Sequence, residues 1–90
     1  MTVLNFTEND GVYTADFVMN GATALHIEKG GFAPILLSQK SDSQGEYVKV
    51  KEWKDEWGSR LDTDLVAQVY PKFMRVVTSD PVDLAYIVEG

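Results

Sequence analysis

The stretch Leu65-Val66-Ala67-Gln68-Val69-Tyr70-Pro71-Lys72-Phe73-Met74-Arg75-Val76-Val77-Thr78-Ser79-Asp80-Pro81-Val82-Asp83-Leu84-Ala85-Tyr86-Ile87-Val88 decides the fold class. It divides into three short apolar runs, 65–70, 73–78 and 84–88, parted by Pro71-Lys72 and by residues 79–83. Each run is rich in β-branched and aromatic residues and bounded by Pro or Asp, the signature of strands. The spacing predicts three strands forming the central ribbon of a small antiparallel sheet.

The remainder of the chain has the same rhythm. Residues 2–7 alternate, with Leu4 and Phe6 on one face, and Glu8-Asn9-Asp10-Gly11 follows as a turn, Asp-Gly being a strong hairpin signal. Residues 12–19 alternate again, setting Tyr13, Ala15, Phe17 and Met19 opposite Val12, Thr14, Asp16 and Val18. Asn20-Gly21 is the best two-residue hairpin signal in the chain, predicting a type I′ turn that folds 12–19 directly against 22–29. Gly30-Gly31 leads into 32–39, where Pro34 cannot donate to a ladder and marks an edge or bulge. A polar loop at 40–45 precedes residues 46–53, with Val48 and Val50 read as inward and Tyr47, Lys49, Lys51 and Trp53 on the other face. Residues 54–64 break the alternation and read as an acidic loop, with room for one helical turn between Trp53 and Trp57. About eight short strands and no long helix predict a single all-β domain over 1–90, an antiparallel β-sandwich or jelly roll.

Composition narrows the function. Ninety residues make one domain, and so short a chain buries only about 60–65% of the surface its unfolded form exposes. With no Cys there is neither a disulfide framework nor a thiolate metal site to add stability, which favours self-association. The 8 basic and 14 acidic residues leave a formal charge of −6, against binding nucleic acid or anionic membrane. The opening residues lack a basic region and an apolar run, so no signal peptide is expected, and no stretch approaches the ~20 apolar residues of a membrane span. A cytoplasmic or virion setting is the expectation.

The chemistry-bearing residues point away from catalysis. His26 is the sole histidine and shares a face with Glu28, but general acid–base work also needs a nucleophile or a substrate proton in reach. No G-x-S-x-G elbow is present, and Asp62-Thr63-Asp64 lacks the glycine and terminal glutamate of a calcium loop. The reading is therefore no enzyme, no cofactor and no metal. Tyr47, Trp53 and Trp57 are the sharper signal, lying close in sequence beside an acidic loop. Flat aromatics near carboxylates fit a protein interface or a stacked sugar ring, or they cover one end of the core. Arg75 alternates away from Met74 and Val76 and is expected to be solvated or paired with a carboxylate on a neighbouring strand.

Two segments carry a resemblance. One runs from Asn5-Phe6-Thr7 to Leu25-His26-Ile27-Glu28 and on to Gly30-Gly31. The other is Tyr70-Pro71-Lys72-Phe73-Met74-Arg75-Val76-Val77 with Ala85-Tyr86. In layout they resemble small all-β virion proteins of the head, neck or tail of tailed phages and prophages of gut bacteria. The aromatic-x-Arg-Val-Val strand also resembles one found in discoidin-like and other carbohydrate-binding sandwiches. The first resemblance implies a structural protein that assembles in several copies with itself or a larger particle. The second transfers no ligand residues; the alternative of a small glycan-binding module rests on the aromatics themselves, Tyr47, Trp53 and Trp57. Neither assigns catalytic residues.

Overall fold

The computed structural model describes residues 1–54 and 60–90. It contains β1 (Thr2–Val3), β2 (Thr7–Asn9), β3 (Val12–Met19), β4 (Thr23–Lys29), β5 (Ile35–Lys40), β6 (Val48–Trp53), β7 (Arg60–Leu65), β8 (Lys72–Thr78) and β9 (Val82–Glu89). A four-stranded sheet has the order β1-β9-β4-β7 and a five-stranded sheet the order β2-β3-β8-β5-β6. Every pairing is antiparallel. The chain is an all-β sandwich. With β2 and β3 taken as one hairpin, every later step except β5 to β6 crosses between the sheets, the winding of a jelly roll.

The core follows from alternation. Ala15, Phe17 and Met19 on β3, Met74 and Val76 on β8, and Ile35 and Leu37 on β5 point inward from the larger sheet. Leu25 and Ile27 on β4, Leu61 on β7, and Ala85 and Ile87 on β9 meet them from the smaller one. Full burial of each large aliphatic side chain contributes about 1.5–3 kcal/mol against the ordering entropy of a small domain.

Several local expectations give way to this winding. Asn20-Gly21 does not close a hairpin: β3 pairs with β2 and β8, while β4 pairs with β7 and β9. Met19 and Thr23 are both buried on the inner faces, so the turn carries the chain from one layer to the other. The two-residue hairpin lies instead at Asp10-Gly11, where φ values of 52° and 78° place both residues in the positive region that a type I′ turn requires. The expected 2–7 strand splits, β1 joining the smaller sheet and β2 the larger, with buried Leu4 donating its N–H to the Ala85 carbonyl at 2.9 Å between them. Phe32 precedes β5 and is 73% exposed, because the ladder begins only after Pro34.

The last third departs most. Of the run 65–70 only Leu65 is in a strand; residues 66–70 are a loop ending in a cis Tyr70-Pro71 bond. The strand lies earlier, in 60–65, where an acidic loop was expected. Leu61 is the inward anchor of β7, and its exposed Asp62 and Asp64 are the outward half of an ordinary alternation. β8 and β9 sit in different sheets, so the three runs form no ribbon. The helical turn considered between Trp53 and Trp57 lies outside the described residues.

One ion pair fastens the connections at one end of the sandwich. The Lys29 side chain has no exposed surface, and its Nζ donates to Asp80 Oδ2 at 2.7 Å. The same oxygen accepts the Ala33 N–H at 2.8 Å. Asp80 belongs to the β8–β9 turn and Ala33 to the β4–β5 connection, so a single carboxylate ties together two crossings between layers. Gly31 is required there: its φ is 80°, and a Cβ would come within 2.7 Å of the Asp80 carboxylate. The Lys29 hydrogen bond, followed by that of Ala33, holds the Asp80 carboxyl below the usual range.

Two predictions arise. Gly11→Ala, forced to keep positive φ, lowers stability by about 1 kcal/mol in urea titration, whereas Gly21→Ala meets no atom within 4 Å and stays within about 0.5 kcal/mol. Because the folded pKa of Asp80 is depressed, its stabilisation is present above the unfolded value of ~3.9 and is lost as pH falls through the folded one. Asp80→Asn should therefore flatten the acid limb of Tm against pH. Asp80→Ala, leaving the buried Lys29 ammonium unpaired, should lower Tm at pH 7 by roughly 10 °C or more.

Candidate functional site

The outer face of the larger sheet gathers two of the residues singled out above. Register sets Asp16, Arg75 and Ser38 in one row across β3, β8 and β5, with Val18, Phe73 and Lys40 in the next. Arg75 grips Asp16 through both carboxylate oxygens, Nε to Oδ1 at 2.8 Å and Nη2 to Oδ2 at 2.9 Å. Its guanidinium lies 4.1 Å from the centre of the Tyr47 ring, and Lys40 Nζ lies 4.5 Å from the same ring and 6.0 Å from that of Phe73. Of the two outcomes expected for Arg75, solvation or a carboxylate on a neighbouring strand, the structure shows the second. The Asp16 hydrogen bonds push the Arg75 pKa up. Burial first, then the Asp16 charge, pushes the Tyr47 phenol up, while Arg75 opposes both.

Trp53 is elsewhere. Leu37 pairs with Lys51 and Ser38 with Lys49, so Val50 is an extra residue on β6, a bulge that shifts the alternation by one. Trp53 consequently stands opposite the fully buried Ile35 and packs against the core instead of facing outward. Val48 and Val50, expected inward, are 63% and 45% exposed. Trp53 borders two adjoining clefts where the β6 and β7 edges of the two sheets face each other, one of about 360 Å³ and one of about 430 Å³. The first is lined by Val50 and Lys51 from β6, Thr63, Asp64 and Leu65 from β7, and Val66 and Ala67 beyond it. Trp57 lies outside the described residues.

The outer face of the smaller sheet holds His26, which is 9% exposed. Its ring stacks on Tyr86 at 4.8 Å, and Nε2 donates to Glu28 Oε2 at 2.6 Å. That bond places the proton of the neutral ring on Nε2 and leaves Nδ1 without a partner, 3.7 Å from Asp62 Oδ2. The His26 hydrogen bond, aided by the Arg60 charge, holds the Glu28 carboxyl below the usual range. Among the described residues no Ser or Thr hydroxyl bonds to His26, and no group of three acidic or imidazole ligands is arranged to hold a metal. The arrangement orients an imidazole between Glu28 and the Tyr86 ring.

The structure therefore joins Tyr47 to Arg75, separates both from Trp53, and adds residues that sequence reasoning passed over. Asp16 and Lys40 complete the Tyr47–Arg75 cluster. Asp62 and Asp64 become part of an edge strand. The alternation Leu61, Thr63, Leu65 against Asp62 and Asp64 was the available signal for β7. No family model matches the chain, and comparisons with curated proteins and with solved structures find no match.

The Tyr47–Arg75–Asp16 cluster is testable by thermodynamics and titration. An Asp16→Ala/Arg75→Ala double-mutant cycle should give a coupling of about 0.5–1 kcal/mol, the range for a half-exposed bidentate pair. In ultraviolet titration, Tyr47→Phe should remove a phenol that ionises above the ordinary tyrosine range in the wild type.

Proposed function

We propose that the chain is a non-enzymatic structural protein that acts by protein–protein contact, through the side of the sandwich where β6 and β7 run as edge strands. The observation that carries this reading is an asymmetry between the two sides. One side ends in β1 and β2, of 2 and 3 residues, and the other in β6 and β7, of 6 residues each. An edge strand of that length presents a row of backbone donors and acceptors ready to pair with another chain. Around it lie Val48, Val50 and Val66, all exposed, with half-buried Trp53 between the sheets. Aliphatic contact around an aromatic anchor suits a protein interface. The sequence resemblance suggests a multi-copy particle such as a phage virion as the setting.

A glycan-binding module is the second reading. What favours it is the placement of Trp53 beside Gln39, Lys51 and Asp64 in the 360 Å³ cleft. Against it, Tyr47 already has Lys40 and Arg75 over its ring.

A photo-crosslinking residue at position 50 separates the two when the protein is made in its natural host cell. The protein-contact reading expects a discrete adduct of defined mass, absent when the same group is placed at position 84 on the outer face of the smaller sheet. No adduct from position 50 or 66, together with quenching of tryptophan fluorescence by soluble polysaccharides, would overturn it in favour of the glycan.

A further inference from the structure

We infer that the partner at this side is a second copy of the chain, joined about a two-fold axis parallel to the strands so that β6 of each copy pairs with β7 of the other. This rests on the protein-contact reading above and specifies it.

The geometry comes from the two edges together. β6 terminates the larger sheet and β7 the smaller, and their clefts show that they lie on the same side of the sandwich. They run in opposite directions: residues 51–54 face 61–63, whereas Val50 lies towards Leu65, Val66 and Ala67. A two-fold axis along the strand direction, midway between the layers, carries the larger sheet of one copy onto the level of the smaller sheet of the other. It sets β6 antiparallel to β7 at both places at once, so one operation satisfies both edges and closes the assembly.

Charge selects this pairing over the alternatives. From 48 to 54, β6 and its extension carry Lys49, Lys51 and Lys54 against a single acid, Glu52. The Glu52 carboxylate is already held by Lys49 at 3.0 Å and Lys54 at 3.2 Å. β7 presents Asp62 and Asp64, both exposed, while its one cation, Arg60, stands opposite Glu28. Pairing β6 with β6 would set lysines against lysines, and pairing β7 with β7 would set aspartates against aspartates, both destabilising. Only β6 with β7 brings opposite charges to the same seam, Lys49 on the outer side with Asp62 and Asp64, and Lys51, opposite inward Leu37, at the cleft. The cleft supplies the apolar part, with Val50 at 45% and Val66 at 76% exposure beside Trp53. On the other side, β1 and β2 are too short to continue the pattern, so a closed dimer forms and not a fibre.

Light scattering coupled to size exclusion, over a roughly hundredfold range of concentration, tests this in low and high salt. The expected result is a dimer whose Kd rises with ionic strength. Lys49→Glu/Lys51→Glu and Asp62→Lys/Asp64→Lys should each weaken it about tenfold or more, and an equimolar mixture of the two variants should recover a heterodimer. Should either variant fail to fold, amide exchange of the wild type decides: protection in β6 and β7 that grows with concentration supports the dimer, and concentration-independent exchange overturns it. A wild type that is monomeric throughout, or a dimer indifferent to both charge reversals, also overturns it. A monomer that still yields a discrete heteromeric adduct from position 50 leaves protein contact standing and removes only the second copy. A monomer with no adduct removes both.

Discussion

The contact between Lys29 and Asp80 sets the terms for much of this fold. A jelly roll needs strands to leave one sheet and enter the other repeatedly, and each crossing places backbone where no ladder satisfies it. Here the β4–β5 and β8–β9 connections meet at one carboxylate, which takes an ammonium and a backbone N–H at the same time. The ammonium has no access to water, so its charge is tolerable only because the carboxylate is 2.7 Å away. Gly31 follows from the same contact, since a side chain there would occupy the space that Asp80 fills. A buried ion pair is weak evidence of net stability, but it is strict about geometry. Two layers joined at this point have little freedom to slide.

With the layers so joined, the two outer faces and the two sides acquire distinct characters. The outer face of the larger sheet is closed over by the Asp16–Arg75 pair and the rings of Tyr47 and Phe73. The outer face of the smaller sheet is organised by His26, held between Glu28 and the Tyr86 ring. Both clusters have their groups engaged with one another. The β6/β7 side is different: its strands are long, its valines are exposed, and its lysines and aspartates are sorted onto separate edges. A domain of 90 residues has little stability to spare, and covering such a side with a second copy adds apolar burial that one chain cannot provide alone.

Alternation and turn composition made the class of fold legible. Residues 12–19, 73–78 and the inward sets of β4 and β5 read directly as strands. The outward face of Arg75 followed from its place opposite Met74 and Val76, although alternation left open whether it would be solvated or paired. Asp10-Gly11 was legible as a turn. The candidate site was readable only in part. Tyr47 and Arg75 do come together, but nothing in their separation of 28 positions announces it. Alternation alone put Trp53 on the outward face, while the other reading open for it, a cover over one end of the core, is the one the structure bears out. The bulge at Val50 adds one residue that a period-2 pattern has no way to register.

What the sequence determined by itself was local: which residues favour extended backbone, and which face of most strands is apolar. The tertiary structure decided which strands share a sheet. Asn20-Gly21 is an equally good link within a layer or between layers. The choice fell to the pairing of β3 with β8 and β4 with β9, partners about sixty residues apart. The same holds for the run 65–70, of which only Leu65 joins a strand although its β propensity matches that of its neighbours. Burial and ladder hydrogen bonds outweigh local propensity in a sandwich, because they are satisfied only when the whole set of strands is assembled.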